Sequence, residues 1–590
     1  MENKNWKPVD EREVRNYLME LRKCSPMCRE YLSVYVTYLL YLRNIYDKEN
    51  VLNLSQLLEK KFSDHRTNLE YVLRDRVNAE LWDVVRNNIG FISDNVLETV
   101  LLDTTGEYFT FFGKEHSGYM RTPDTLLDLV NHLLEIKPGE EVYDICCGTG
   151  NFTVKSFLAQ PKASYCSKDI NPDAVSLSEI RKDVLERNYD GAHICVESGN
   201  VLEERKKDSN RKYDKVFGHY PWMIDLAGRV GRGYSFCDSI EKEIPGIITR
   251  NASDWAFNFL MIHHMKESGK AVGIMTNGST WNQVSGCRGA RKYFLEHGLI
   301  EAVIALPNRL FKEMGISAAL IVFSHGNDTV KMIDASQLCI EKNRQIVLSD
   351  ENIETILKAY KEDGDYSISV NIWDILKGRD IVIHPSRYLT KYAPIKDGQR
   401  LGSVLKEVHR GASIVAKELD ELITDKPSEY QYVMLKNIND GMIDENLPYI
   451  SGLDQRYERF IAPNRSLLLS KIGTPFKCAV VEASDRKILV NGNLFILQVD
   501  EKKANPYYLK ALFESSYGTA LLSQICIGSV FPTFNKRALE DMVIPLPSLE
   551  QQNKIAKRYL VLQDEIRICN MKLANAAEEK LHLFDDMLEG

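Results

Sequence analysis

The chain has 590 residues, with 75 Lys and Arg against 83 Asp and Glu and a formal net charge of -8. With 44% hydrophobic and 27% charged residues it has the balance of a soluble globular protein, and at ~100–200 residues per domain its length holds roughly three to five domains. The acidic total excludes a uniformly basic nucleic-acid glove, so any grip on DNA or RNA has to be local.

Residues 1–105 predict a helical domain. Apolar residues recur at helical spacing in Val14, Leu18 and Leu21 and again in Leu54, Leu57 and Leu58, and Gly and Pro are scarce. From 106 to 335, apolar runs at 142–145, 163–167, 193–196, 215–217, 271–275, 302–305 and 319–323 predict strands. Amphipathic stretches such as 173–187 and 255–266 predict helices between them. Strands alternating with helices mean βαβ units and a mostly parallel sheet, an α/β fold. Residues 336–395 are charged and mixed and suit a connector.

From 396 to 548 the texture changes. Short β-rich pieces at 432–435, 466–470, 479–481 and 494–498 are separated by Gly, Asn and Asp turns, which predicts a separate α+β domain. The last segment, 549–590, predicts one long helix. Its apolar positions Ile555, Tyr559, Leu562, Ile566, Cys569, Leu573 and Ala576 step by three and four, a spacing of about 3.5 that marks a coiled-coil seam; a lone helix packed on its own domain fits the same pattern. No run of ~18 apolar residues is present to cross a bilayer. The polar, charged residues 1–12 do not read as a signal peptide. Twelve cysteines without a CxxC pair fit a reducing cytoplasm and speak against a structural zinc or a disulfide framework.

The strongest local signal is Asp144, Ile145, Cys146, Cys147, Gly148, Thr149, Gly150, Asn151 and Phe152, which follows the first predicted strand. A strand that ends in a Gly-rich turn opening a helix turns backbone N–H groups toward a ligand. No Lys-Ser/Thr follows, so this is not a Walker loop, and the spacing is not GxGxxG. An acidic residue at the strand end followed by xxxGxG is the pattern of S-adenosylmethionine enzymes. Asp169, about 20 residues further on at the end of the next strand, stands where a ribose-binding carboxylate is required.

With Gly118 to Pro123, Pro138 to Glu140, Ser253 to Phe257, Asn277 with Gly278, Val303 to Asn308, Leu310 with Phe311 and Gly315 with Ile316, these residues resemble the N6-adenine DNA methyltransferases, and more closely the modification subunit of type I restriction–modification systems. The resemblance spans roughly residues 1–330. It implies a Rossmann-like S-adenosylmethionine-dependent methyltransferase domain over 106–335. It also implies that Thr122 and Pro123 fold over the methionine end of the cofactor, that Asp144, Cys146, Gly148, Gly150, Asn151 and Phe152 surround it, and that Asp169 and Ile170, then Asn200 and Val201, hold its ribose and adenine side.

The same resemblance places a catalytic tetrapeptide of the form Asn (or Asp, Ser), Pro, Pro, aromatic after the fourth strand. An adenine must leave the duplex stack to be methylated. Its amino group then donates to the first side chain and to the next backbone carbonyl, while the aromatic ring stacks on the base. Here the four residues are His219, Tyr220, Pro221 and Trp222. Neutral imidazole offers one acceptor nitrogen, so His219 can take one amino N–H. Asn200 stands where the family has Asp. These departures leave two readings open. One is a site-specific adenine-N6 methyltransferase. The other is a catalytically weakened or inactive DNA-binding specificity or regulatory relative. Methylation of an amide or of RNA is a third and weaker option.

A second resemblance covers the C-terminal part. Leu401 to Leu405 with Arg410 and Gly411, Val433 to Gly441, Leu467 to Thr474, Asn491 to Asn493, Gly528 and Ser529 with Phe534 and Asn535, and Ile544 to Gln551 are similar to one target recognition domain of a type I specificity subunit, followed by its long helix. It implies double-stranded DNA as partner. A second copy joined through the helix and separate restriction or specificity subunits are further implied partners. Residues 391–550 carry about 20 basic and about 20 acidic side chains. Lys436, Arg456, Arg459, Arg465, Lys471, Lys477, Lys536 and Arg537 are candidates for phosphate contact, and loops near Asn439, Tyr449 and Arg456 for base reading. No metal site is expected.

Overall fold

The computed structural model describes residues 9–581, apart from 25–29, 64–66, 109–120, 204–210, 230–234, 312–316, 343–344, 379, 390–397, 474–475, 483–485 and 526–532. Of the motif residues above, Gly118 to Met120, Gly315, Ile316, Thr474, Gly528 and Ser529 lie outside the described residues. The chain divides into two compact units, Met1–Leu389 and Thr390–Gly590. Among the described residues no helix is long and apolar enough to cross a membrane.

The first unit is built on a nine-stranded sheet. Its strands are β1 (Glu141–Asp144), β2 (Ser164–Asp169), β3 (His193–Ser198), β4 (Tyr213–Gly218), β5 (Met265–Thr276), β6 (Ile300–Ala305), β7 (Ala318–Phe323), β8 (Thr329–Asp334) and β9 (Ser367–Asn371). Their spatial order is β9-β8-β6-β7-β5-β4-β1-β2-β3. The pairs β1–β2, β1–β4, β2–β3, β4–β5 and β6–β8 are parallel, whereas β7 runs antiparallel to both β5 and β6, and β9 antiparallel to β8. The order reverses at β1, whose neighbours are β2 on one side and β4 on the other. In an open α/β sheet the crevice beyond the strand ends at such a reversal is where ligands sit.

All seven strands expected between 142 and 323 are present. Lys266, expected to be helical, already belongs to β5: the helix Ser253–His264 ends two residues earlier, Tyr213 pairs with Met265, and the Lys266 ammonium is held by Asp214 at 2.9 Å and Glu141 at 3.2 Å. Every residue of β7 is buried, and burial of each such Val, Leu or Ile contributes ~1.5–3 kcal/mol. The N-terminal helices share this core. Val14, Leu39, Leu58, Trp82 and Leu101 are packed in one cluster with Val216, Ile274 and Ile321. Part of the stretch read as a connector also joins the unit, because β9 pairs with β8 and the helix Asp350–Lys361 buries Ile353 and Ile356.

The buried guanidinium of Arg181 links these layers. From the helix Pro172–Asn188 it donates to the carbonyls of Leu101 (3.0 Å) and Asp103 (2.6 Å), to the Thr149 carbonyl (2.9 Å) and to Asn151 Oδ1 (2.6 Å). One side chain thus satisfies carbonyls of the N-terminal helices and of the Gly-rich turn, where each would otherwise be a buried acceptor without a donor.

The second unit holds two four-stranded sheets. One joins Leu405–Arg410, Leu494–Val499, Leu467–Ser470 and Cys478–Val480; the other joins Ile423–Thr424, Tyr449–Ile450, Tyr430–Val433 and Lys487–Val490. Leu435, expected to end a strand, instead starts the 3-10 turn Leu435–Asn437, because the Asn437 side chain accepts from Met434 N and folds the chain back. The last described element is the 33-residue helix Leu549–Leu581. Gln552 and Ala556 bury its first turns, and Gln563 accepts from Lys510. Ile555, Leu562, Ile566 and Leu573 remain exposed, Leu573 by 71%. The helix therefore packs on its own unit at its start and carries an uncovered apolar stripe beyond.

Candidate active site

β1 ends at Asp144, which pairs with Phe217 of β4, and β4 runs directly into His219. The two expected motifs therefore stand side by side at the sheet reversal. Gly148 and Gly150 adopt φ of +52° and +81°, and Gly150 caps the helix Asn151–Ala159. A Cβ on Gly150 would lie 2.5 Å from Ser178 Oγ, so packing against the next helix and the left-handed backbone both demand glycine there.

Asp144 is buried, and its Oδ1 has no hydrogen-bond partner among the described residues. Burial, with the negative Asp169 nearby, pushes its carboxyl well above the usual carboxylate range. Asp169 accepts from Gly148 N at 2.8 Å and Asn171 N at 2.9 Å. Burial also raises its pKa, against the pull of those backbone donors. Each Asp169 oxygen keeps a lone pair for a hydroxyl donor. Asn171 and Pro172 then start the next helix, with the Asn171 side chain capping Asp173 N.

The other residues expected around the cofactor fall into two groups. The Cys146 thiol is close to Asp144 and Asp169, and Thr122 bonds His219. Pro123 starts the helix Asp124–Leu134. Ile170 is 62% exposed beside Asp169. Phe152, by contrast, is core, stacked on Phe217 at 4.2 Å, and Asn151 is spent on Arg181. Val201 is buried, and Asn200 folds into its own turn, accepting from Leu202 N at 3.1 Å and donating to Glu203 at 3.0 Å.

Of the tetrapeptide's side-chain polar atoms, one is buried without a partner among the described residues. Thr122 Oγ1 lies 2.6 Å from His219 Nδ1, while His219 Nε2 is buried and has no partner among the described residues. Burial pulls the His219 pKa down to about 3, so the ring is neutral at pH 7. Tyr220 is in the core: its hydroxyl donates to Asn258 Oδ1 at 2.7 Å and its ring stacks on Phe257 at 4.9 Å. Pro221 is exposed. Trp222 is 8% exposed and donates its indole N–H to the Ile274 carbonyl at 3.0 Å, with its ring edge-on to Phe311 at 5.2 Å. Trp222, Phe311 and His219 thus form an aromatic wall, with His219 5.4 Å from Phe311.

Asp254 lies within the stretch Ser253 to Phe257 and Asn258 directly follows it, and neither was given a role from the sequence. Asp254 is buried and accepts from Thr276 N (2.9 Å), Thr276 Oγ1 (2.7 Å), Ser279 Oγ (3.1 Å) and Met223 N (3.3 Å). It ties the end of β5 to the residue after the tetrapeptide. An acid in the first turn of an otherwise apolar helix was the available signal.

In the second unit, several proposed phosphate contacts already have acidic partners. Arg456 pairs with Glu418, Arg465 with Glu501 at 2.8 Å, Lys536 with Glu540 at 3.7 Å and Arg537 with Asp541 at 4.0 Å. Exposed pairs of this kind are worth ~0–1 kcal/mol and do not hold a cation back from a phosphate. Lys477 donates to the Leu435 carbonyl and Asn439, both at 3.4 Å, and burial lowers the Lys471 pKa.

Residues 104–396 match the family N-6 DNA Methylase, and residues 400–579 match the Type I restriction modification DNA specificity domain. The chain is 26% identical over 323 residues to the Type I restriction enzyme MjaVIII methylase subunit of Methanocaldococcus jannaschii, covering 50% of this chain and 54% of that protein. It is 22% identical over 348 residues to the Type I restriction enzyme MpnII methylase subunit of Mycoplasma pneumoniae, covering 55% and 61%. The chain therefore spans little more than half the length of these relatives. The crystal structure of a type I restriction-modification system methyltransferase subunit from Streptococcus thermophilus superposes with a TM-score of 0.51 at 17% identity, covering 65% of this chain and 99% of that one, which shows a shared fold.

Proposed function

Residues 104–396 belong to the N-6 DNA methylase family and residues 400–579 to the type I DNA specificity domain family, and on that footing we propose that the chain is a site-specific DNA adenine-N6 methyltransferase carrying its own target reader. The observation that carries the reading is a pair of buried polar atoms without partners among the described residues, Asp144 Oδ1 and His219 Nε2, at the ends of the adjacent strands β1 and β4.

The residues at the β1 end fit S-adenosylmethionine, which supplies a methyl group on a positively charged sulfur. Asp169 offers lone pairs to its ribose hydroxyls, and Asp144 offers a buried carboxylate oxygen to a cationic amino group. At the β4 end the flipped adenine donates one amino N–H to His219 Nε2 and the other to the Tyr220 carbonyl. Two acceptors draw the amino nitrogen toward a tetrahedral shape and free its lone pair for the methyl carbon. His219 Nε2 is an acceptor only if Nδ1 carries the proton, and Thr122 Oγ1 is placed to accept that Nδ1–H. Trp222 and Phe311 are the apolar wall for the base.

In this reading 106–335 transfers the methyl group and 396–548 reads the sequence. The exposed stripe of the helix Leu549–Leu581 takes a second copy, so that two readers face two half-sites, and separate restriction or specificity subunits are further partners. Radiolabelled methyl transfer to mixed double-stranded DNA tests it. The native chain transfers label and His219→Ala does not. A silent native chain that His219→Asn switches on would support the second reading, a binding relative with its catalytic acceptor lost.

A further inference from the structure

Cys166 of β2 and Cys195 of β3 are direct register partners, so their side chains rise from the same face of the sheet. Glu197 lies two residues beyond Cys195 on the same strand and so shares that face. The three side chains converge. Cys166 Sγ is 3.9 Å and Cys195 Sγ 3.7 Å from Glu197 Oε1, and all three ligand atoms lie within 4.8 Å of one another. We propose that Cys166, Cys195 and Glu197 form a divalent metal site for zinc or a similar borderline-soft ion, set apart from the methyl-transfer machinery.

The dimensions suit that ion. With Zn–S of ~2.3 Å and Zn–O of ~2.0 Å, a tetrahedral site has S···O edges of ~3.5 Å and an S···S edge of ~3.8 Å. The observed sulfur–oxygen distances exceed that edge by only a few tenths of an ångström, within a small rotation of Glu197. Two thiolates and a carboxylate select zinc over hard ions such as magnesium, and the fourth position is left to water. The Tyr213 hydroxyl lies close to the Cys166 sulfur, behind the ligands, where a supporting partner stands. Three cations oppose the ion: Lys168 Nζ stands 3.9 Å from Glu197 Oε2, Lys182 lies near Cys195, and Arg211 lies near Cys166. Against them stand the carboxylate and the two thiolates, which give up their protons when a metal binds.

A disulfide fits less well. Parallel strands lie ~4.8 Å apart and the two Cβ atoms project side by side at about that spacing, whereas a disulfide needs Cβ atoms ~3.8 Å apart. An ion spans the gap without moving the backbone. Cys195 is open to solvent, which gives the ion a path. Since β3 is the edge strand of the sheet, a bound ion would brace that edge to β2, three residues before Asp169.

The test is a titration of the reduced, chelator-stripped full chain with cobalt(II). The proposal expects one equivalent bound, with the near-ultraviolet sulfur-to-cobalt charge-transfer band of two thiolates, displaced by zinc. Because even partners that only support a ligand are worth ~10–100-fold in affinity, Cys195→Ser should weaken binding by at least that factor and halve the band, and Glu197→Gln should weaken it while leaving the band. Cys569→Ser, an exposed cysteine elsewhere, should change neither. Cobalt bound without the thiolate band, equal affinity in Cys195→Ser, or a Cys166–Cys195 crosslinked peptide in the purified protein would each overturn the proposal.

Discussion

Replacing Thr122 by Val isolates the hydrogen bond that sets the His219 ring. Valine keeps the shape of threonine and removes the oxygen that lies 2.6 Å from Nδ1. Two responses are open to the ring. It can keep the proton on Nδ1, at the ~1–3 kcal/mol cost of a buried donor without an acceptor. Alternatively it can move the proton to Nε2 and lose the acceptor offered to the adenine. Both routes remove transition-state stabilisation, and at 1.36 kcal/mol per tenfold they lower kcat ~5–150-fold. The assay is methyl transfer at saturating DNA and S-adenosylmethionine, with Thr122→Ser beside it, because serine keeps the oxygen. The serine variant should stay within about threefold of the parent. A valine variant within about twofold of the parent, or a serine variant as slow as valine, would show that Thr122 does not set the His219 ring.

Three further outcomes are expected. Because burial holds the His219 pKa at about 3, the ring stays neutral throughout the range of ordinary histidines, and kcat measured at saturating substrates should show no histidine titration between about pH 5 and 8; a fall centred near pH 6.5 would contradict it. Asp144 is raised in the free protein, so a cationic amino group that binds its charged form expels a proton: S-adenosylmethionine affinity should weaken as pH falls through that raised value. Asp144→Asn should abolish the proton release seen calorimetrically in buffers of different ionisation enthalpy and weaken binding ~10–100-fold. Arg181→Met leaves four buried acceptors without their donor, and should cost ~3–5 kcal/mol in chemical denaturation, with an unchanged midpoint counting against the clamp.

The seven strands between 142 and 323 were legible because each is a short apolar run bounded by turn residues, a pattern that survives without tertiary context. β9 was not, since its alternating half-buried residues in Ser367–Asn371 resemble any polar connector and only pairing with β8 makes it a strand. The Gly-rich turn and the Pro-Trp end of the tetrapeptide were legible as spacing. What spacing could not carry was the direction of side chains. Asn151 and Phe152 sit in the motif yet face Arg181 and Phe217, because the first turn of a helix points only some of its residues at the ligand. Thr122 and His219 are 97 residues apart, and Tyr220 meets Asn258 across 38. Such contacts belong to the sheet order, which the sequence does not spell out. The cysteines illustrate the same point: Cys166 and Cys195 are far apart in sequence and show no metal-type spacing, and they become neighbours through strand register.

The Arg181 guanidinium also bears on how this chain can be cut and recombined. The texture of the sequence suggests a natural seam near residue 105, where helices give way to strands. A graft made there would carry Leu101 and Asp103 away on one fragment and leave Arg181 on the other, with two guanidinium donors stranded beside the glycine turn. Chimeras that swap the helical part among relatives should therefore work only when the donor supplies carbonyls at the same two places. The helices and the glycine-rich turn then have to be exchanged as one block.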